Sequence, residues 1–279
     1  MIARPEDGQL QWCFSTLGCA DLSLREICDL AWDFQVPGVE LRAIGGRLDL
    51  PQYTVEAGLS PAVIGEICRS RHTRLIVAGS SCKLTSASEN DRKELIAFCA
   101  WADALKIPFV RVFGGGAWGE RLTDSDFANA VQFIHWWRGE KRARQWQVEM
   151  LMETHDAFSA SAPCLSLNER LDQPLNVIWD SHHTWRLGGE SPAYTWDRLG
   201  PLVRHVHVKD SVDKPSARHP FTYVLPGEGQ MPIAEVLALL RAQRFNGFVS
   251  LEWERLWHPY LPPLRDALNH IHALPCTKR

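Results

Sequence analysis

The chain has 279 residues, 45% of them hydrophobic and 23% charged, with a formal net charge of −3. That length supports a large buried core, in one α/β barrel or two smaller domains, and the weakly acidic balance excludes a surface built to hold a polyanion. The opening MIARPEDGQLQW holds no apolar run of signal-peptide length, and no stretch reaches the roughly 18 apolar residues of a membrane span, so a cytoplasmic protein without membrane contact is expected. Eight cysteines, at 13, 19, 28, 68, 82, 99, 164 and 276, form no CxxC pair. They read as free, mostly buried thiols rather than as a zinc framework.

In chain order, WCFSTLG (12–18) reads as a strand. A helix follows at 23–34, with Ser23 as its cap and Glu26 three residues on. GVELRA (38–43) is a strand, 60–71 a helix with Pro61 in its first turn, and RLIVAG (74–79) a strand. Helix 88–105, strand 108–114, helix 123–143 and strand 147–153 come next. A weaker helix at 157–171 leads to strand 175–180, a short helix at 194–200 and strand 203–210. Helix 232–243, strand 248–254 and helix 262–274 complete the chain.

Eight strands alternating with eight helices imply a parallel sheet with helices outside, and eight units favour a closed (β/α)8 TIM barrel. The alternative, an open doubly wound sheet, would carry a glycine fingerprint after its first strand, and STLGCADLS has none. We expect one domain over 1–279. The connection 209–231 is long enough to be functional, and Lys209, Lys214, Arg218 and His219 within it suit an anionic group; a solvated loop is the alternative.

In such a barrel the chemistry lies at the C-terminal strand ends. Glu153 closes the fifth strand and Asp180 the sixth, while His207 and Glu252 stand near the ends of the seventh and eighth. Glu153, Asp180 and His207 are each 27 residues apart, about one βα unit, so they share a height on neighbouring strands. Parity places Asp180 with Ile178, His207 with His205, and Glu252 with Ser250 on inward faces. Three carboxylates and an imidazole suit one divalent ion such as Mn²⁺, Mg²⁺ or Co²⁺, with zinc the alternative. Glu40 and Arg42 share parity at the end of the second strand and either reach substrate hydroxyls or form an interior ion pair. Arg111 is a barrel-layer residue or a substrate contact, and Lys209 shares the parity of His207 and reaches the site. Glu254 and His258, in the last loop, close over the site or are solvated.

The ordered set METHD, WDSHH, VHVKD, GEG and SLEWE, with the early GVELR, resembles the xylose isomerase-like TIM-barrel superfamily. Within it the chain is similar to the sugar phosphate isomerase/epimerase group, or AP endonuclease family 2. The resemblance implies a divalent metal held by Glu153, Asp180, His207 and Glu252, with Glu153 and Glu252 as opposed acid and base. It also implies that His183, in DSHH, contacts substrate. The reaction implied is proton abstraction next to a carbonyl, with the ion stabilising the enediolate. A small sugar or keto-polyol is the implied partner, and a homo-oligomer is compatible with this reading. Two departures matter. Ketose 3-epimerases of the group carry a further glutamate where this chain has Ser159. His155 resembles a residue of some dehydratases, including those acting on dehydroshikimate, so a dehydratase is the alternative and a non-catalytic sugar-binding barrel the third reading. Endonuclease IV-type repair is disfavoured, and no nucleic-acid partner is expected: VAGSS, VFGGG and FTYVLP lack its extra metal ligands.

Overall fold

The computed structural model describes residues 9–274 and 277; Cys276 and the start of the stretch read for a targeting signal lie outside them. Ten strands lie among the described residues: β1 (Gln11–Ser15), β2 (Gly38–Leu41), β3 (Arg74–Lys83), β4 (Phe109–Phe113), β5 (Glu149–Glu153), β6 (Val177–Asp180), β7 (Val203–Val208), β8 (Asp210–Val212), β9 (Thr222–Val224) and β10 (Phe248–Leu251). The helices are α1 (Leu24–Asp33), α2 (Leu50–Glu56), α3 (Pro61–Ser70), α4 (Glu89–Ala104), α5 (Asp124–Arg144), α6 (Ser161–Asn168), α7 (Ser181–Arg186), α8 (Pro192–Leu199), α9 (Ile233–Ala242) and α10 (Leu264–Ala273). Strands β1 to β7 and β10 are parallel and close into a barrel, with β10 between β7 and β1. This is the expected (β/α)8 architecture. No helix of the described residues is long and apolar enough to cross a membrane.

Local chemistry accounts for the helix starts. Ser23 and Glu26 form a reciprocal capping box on α1, as do Ser88 and Asp91 on α4 and Thr123 and Asp126 on α5. Ser60 caps α3, whose first residue is Pro61. Strand alternation sorts the core into two parts. Cys13, Ile76, Val77, Leu151, Ile178 and Phe248 fill the barrel interior. Alternate residues such as Val110, Met152, Val177, Trp179 and Val249 belong to the larger core shared with the helices, including Ile27, Phe98, Phe133 and Leu237. The seven cysteines among the described residues are free and buried, as expected.

Four local features depart from the reading above. The first strand stops at Ser15, whose side chain caps a single 3-10 turn at Thr16–Cys19. Helix α2 was not anticipated, because its seven residues bury only Leu50 and Thr54. Helix α7 starts directly at the end of β6, with Asp180 serving both as strand tip and N-cap. The long connection is not structureless: β8 and β9 pair as an antiparallel hairpin. The Asp210 carboxylate pins its return by accepting the N–H groups of Gly227, Gly229 and Met231 at 2.9–3.0 Å. Three-residue strands are too short to show a period, which is why the hairpin is invisible in the sequence.

The barrel base is packed to the limit at Gly38, which faces Cys13 in register. A Cβ there would lie 2.6 Å from Cys13 Cβ and 2.7 Å from Phe248 Cε1. Gly38→Ala is therefore expected to lower stability by about 1–3 kcal/mol, read as a lower urea midpoint at unchanged m.

Candidate active site

Each candidate residue is set by where its strand stops. Parallel register places Asp180 beside His207, and His207 beside Ser250, so Glu252 follows one step above. Glu153 ends β5, beside Ile178 of β6. The donor atoms of Glu153, Asp180, His207 and Glu252 all lie within 4.8 Å of one another, and all four side chains are buried. His207 Nδ1 stands 3.3 Å from Glu153 Oε1, 3.3 Å from Glu252 Oε2 and 3.9 Å from Asp180 Oδ2. Asp180 Oδ1 is engaged elsewhere, accepting the His183 N–H at 2.8 Å as the cap of α7.

Beneath this cluster lies Glu40, and here the expectation is corrected. Glu40 does not pair with Arg42. Its Oε2 bonds His207 Nε2 at 3.0 Å and His205 Nε2 at 2.9 Å, with the carboxylate 1% exposed. The two imidazoles of β7 capture it from one layer below the strand tips. Burial opposes its ionisation, but His207 and His205 outweigh burial and hold the carboxyl below the ordinary range. Arg42 instead donates to Gly79 O at 3.4 Å and Ser81 Oγ at 2.9 Å.

Lys209 reaches the cluster, as parity suggested. Its Nζ lies 2.6 Å from Glu252 Oε2, 2.6 Å from Glu254 Oε1 and 2.8 Å from Asp180 Oδ2. Burial alone would discharge it, but these three carboxylates raise its pKa well above the ordinary value. Glu254 thus belongs to the site wall, and His258 beside it is buried. Arg111 faces inward, its Nε 3.4 Å from Glu153 Oε2 and its Cζ 3.9 Å from the Phe113 ring centroid. Phe113 was not singled out from the sequence, although it shares the parity of Arg111 in FVRVF.

His155 stacks obliquely on Phe113 at 4.6 Å and meets the edge of His183 at 4.8 Å. Its Nδ1 is 2.9 Å from Asp156 Oδ1. Burial lowers its pKa, but Asp156 and the field of Glu153 more than compensate, leaving it above the ordinary histidine value. His183 is held by Asp180 Oδ2 at 3.0 Å and Thr154 O at 3.2 Å, and burial keeps it neutral. Ser159 turns back to donate to Asp156 O at 2.9 Å. Lys214, Arg218 and His219 do not gather into an anion cradle. Lys214 is exposed, Arg218 lies over Trp257, and His219 stacks on Phe221 of the hairpin loop.

The cluster fits a divalent cation. Asp180 Oδ2 and His207 Nδ1 are buried with no hydrogen-bond partner among the described residues, and they stand 3.9 Å apart within the cluster. Burial raises the Asp180 carboxyl to about 7 despite Lys209, and Glu252 adds to the rise. His207 is driven well above its ordinary value by Glu252 and Glu40, against its burial. Three carboxylates and one imidazole are the donors that harder divalent ions accept.

A closed parallel barrel with ionisable groups at its C-terminal mouth defines a TIM-barrel protein of the kind most often used by enzymes. The family model "xylose isomerase-like TIM barrel" matches residues 29–274, and the chain belongs to that family. No curated protein matches it. Among solved structures it is similar to the probable 3-DHS dehydratase AsbF of Bacillus anthracis, with a TM-score of 0.74, 18% identity, and 88% of this chain and 93% of that one covered. It is similar to the 3-keto-D-glucoside 4-epimerase YcjR of E. coli, with a TM-score of 0.70, 13% identity, and 94% and 98% covered. A third likeness is to the IolI protein with a bound zinc atom, with a TM-score of 0.72, 15% identity, and 94% and 95% covered. At these identities the likeness is one of fold.

Proposed function

We propose that this protein is a divalent-metal-dependent isomerase or epimerase of a small ketose or keto-polyol. The observation that carries the reading is the convergence of the Glu153, Asp180, His207 and Glu252 donor atoms within 4.8 Å at the barrel mouth. These four residues would hold the ion, which when bound polarises a ketose carbonyl and acidifies the adjacent C–H. Glu153 Oε2 makes no hydrogen bond among the described residues and has only the 3.4 Å ion-pair approach of Arg111 Nε, so it is the oxygen assigned to take the proton. Glu252 accepts a hydrogen bond from the Lys209 ammonium, so on this side the returning proton is supplied by Lys209 through the Lys209–Glu252 pair. His183, neutral and held through Nδ1, keeps Nε2 for a substrate hydroxyl.

A second reading, dehydration of a keto-polyol, rests on a specific feature. His155 and Asp156 lie at ion-pair distance, 2.9 Å, beside His183, where a proton donor to a departing hydroxyl would sit. Ser159, bonded to its own turn, is the residue at the position where the 3-epimerases carry a glutamate.

The test is metal analysis followed by incubation with a panel of ketoses in deuterium oxide. Deuterium gained at a carbon next to the carbonyl without loss of water supports the isomerase or epimerase. Loss of water with a new ultraviolet chromophore supports the dehydratase. A metal-loaded protein that exchanges no deuterium on any substrate favours a barrel that only binds. Mn²⁺ at about a hundred times its Kd is expected to stabilise the fold by about 2.7 kcal/mol, read as a concentration-dependent Tm; an unmoved Tm counts against the metal.

A further inference from the structure

Two buried arginines stand side by side over one glycine at the edge of this site. A Cβ at Gly79 would lie 2.9 Å from Arg42 Cδ and 3.1 Å from Arg111 Nη2, so only glycine lets both cross β3 there. Arg42 is 5% exposed and Arg111 2%, as enclosed as the carboxylates of the site itself. Among the described residues Arg111 Nε and Nη1 have no hydrogen-bond partner, and the one ion pair of Arg111 there is the 3.4 Å approach to Glu153. Phe113 covers one guanidinium face. Burial, and to a lesser extent the Arg111 charge, lower Arg42 to about 10. Glu94, the carboxylate beside Arg42, is occupied by the Ser81 N–H at 2.5 Å.

Buried guanidinium groups with unmade hydrogen bonds are costly unless something pairs with them. Glu153 cannot serve Arg111 fully if it also binds a cation and takes a proton. We infer that Arg42 and Arg111 form an anion subsite, and that the substrate carries a carboxylate or a phosphate at the end away from its reacting carbonyl. This rests on the reading that Glu153, Asp180, His207 and Glu252 hold the carbonyl end. Planar, bidentate donors match both kinds of oxyanion, and an acidic or phosphorylated keto-polyol is the class of substrate selected.

The experiment compares three ketoses with one head group: D-fructose, D-fructuronate and D-fructose 6-phosphate. Each is titrated calorimetrically into the full-length protein, with and without Mn²⁺. One of the two anions is expected to bind about tenfold or more tighter than fructose, and which one separates carboxylate from phosphate. In Arg111→Gln and in Arg42→Gln that ratio falls toward one, and Arg111→Lys keeps part of it. Mn²⁺ uptake and circular dichroism of each variant check that it is folded. Equal affinity for the three ketoses, no binding of either anion, or a ratio unchanged in both glutamine variants overturns the assignment. Wild-type protein that takes up no Mn²⁺ speaks against the metal reading instead, and the ratio of anion to neutral ketose is still read in that protein.

Discussion

Glu153→Gln is expected to slow solvent-deuterium exchange into a ketose by on the order of 10²–10⁴-fold. The amide keeps the size of the side chain and one oxygen near His207, but it cannot take a proton. Glu153 is the appropriate target because it is the cluster carboxylate that is fully buried and has no contact with the Lys209 ammonium, which pairs with Asp180 and Glu252. Its carboxyl is held below the ordinary range although burial and Glu252 push it up, because Arg111 and His207 outweigh them. It is therefore ionised and ready to act at neutral pH. Glu252→Gln should have a comparable effect on turnover by a different route. It would leave Lys209 paired with Asp180 and Glu254 alone. Proton NMR of the substrate carbon reads both variants. Exchange in Glu153→Gln within twofold of wild type would remove Glu153 from the acid–base role.

Glu40→Ala is expected to weaken Mn²⁺ binding by about 10–100-fold without touching any proposed ligand. Glu40 accepts His207 Nε2–H, and that bond leaves Nδ1 as the lone pair facing the three carboxylates. Removing the carboxylate frees the ring to turn and to take the other tautomer. It also strips His205 of its partner at 2.9 Å. Breaking a buried charged network of this kind costs about 3–5 kcal/mol, so a lowered Tm should accompany the lost affinity. Glu40→Gln, which keeps an acceptor oxygen for one imidazole, should fall between. Competition with a chromophoric chelator gives the affinity directly. Unchanged affinity in Glu40→Ala would mean that His207 is oriented by the strand alone.

The legibility of the site differs residue by residue. Glu153, Asp180, His207 and Glu252 could be picked out because strands alternate faces and βα units repeat at a near-constant length. Those two regularities turn a spacing of 27 residues into a common height, and the structure brings the four donor groups together. Glu40 could be placed on the inner face by the same parity, but not its partners. Those lie 165 and 167 residues further on and meet it only when the barrel closes between β10 and β1. Lys209 was assigned a direction by parity, and its three carboxylate contacts depend on the turn that brings Glu254 back over the mouth.

The sequence by itself determined the strand–helix alternation, the capping box of Ser23 and Glu26, and the inward faces of β6, β7 and β10. These are local matters of period, cap and propensity, each written within a dozen residues. The tertiary structure alone decided that Glu40 stands behind His207, that Arg42 and Arg111 share the space over Gly79, and that residues 210–224 fold back as a hairpin clamped by Asp210. Each of these depends on side chains from distant strands arriving at the same layer. That layer is set by barrel closure and by register shifts, such as the one between Val39 and Glu40 in the pairing of β2 with β3. No window of the sequence contains that information, because it belongs to the circumference of the barrel rather than to any one strand.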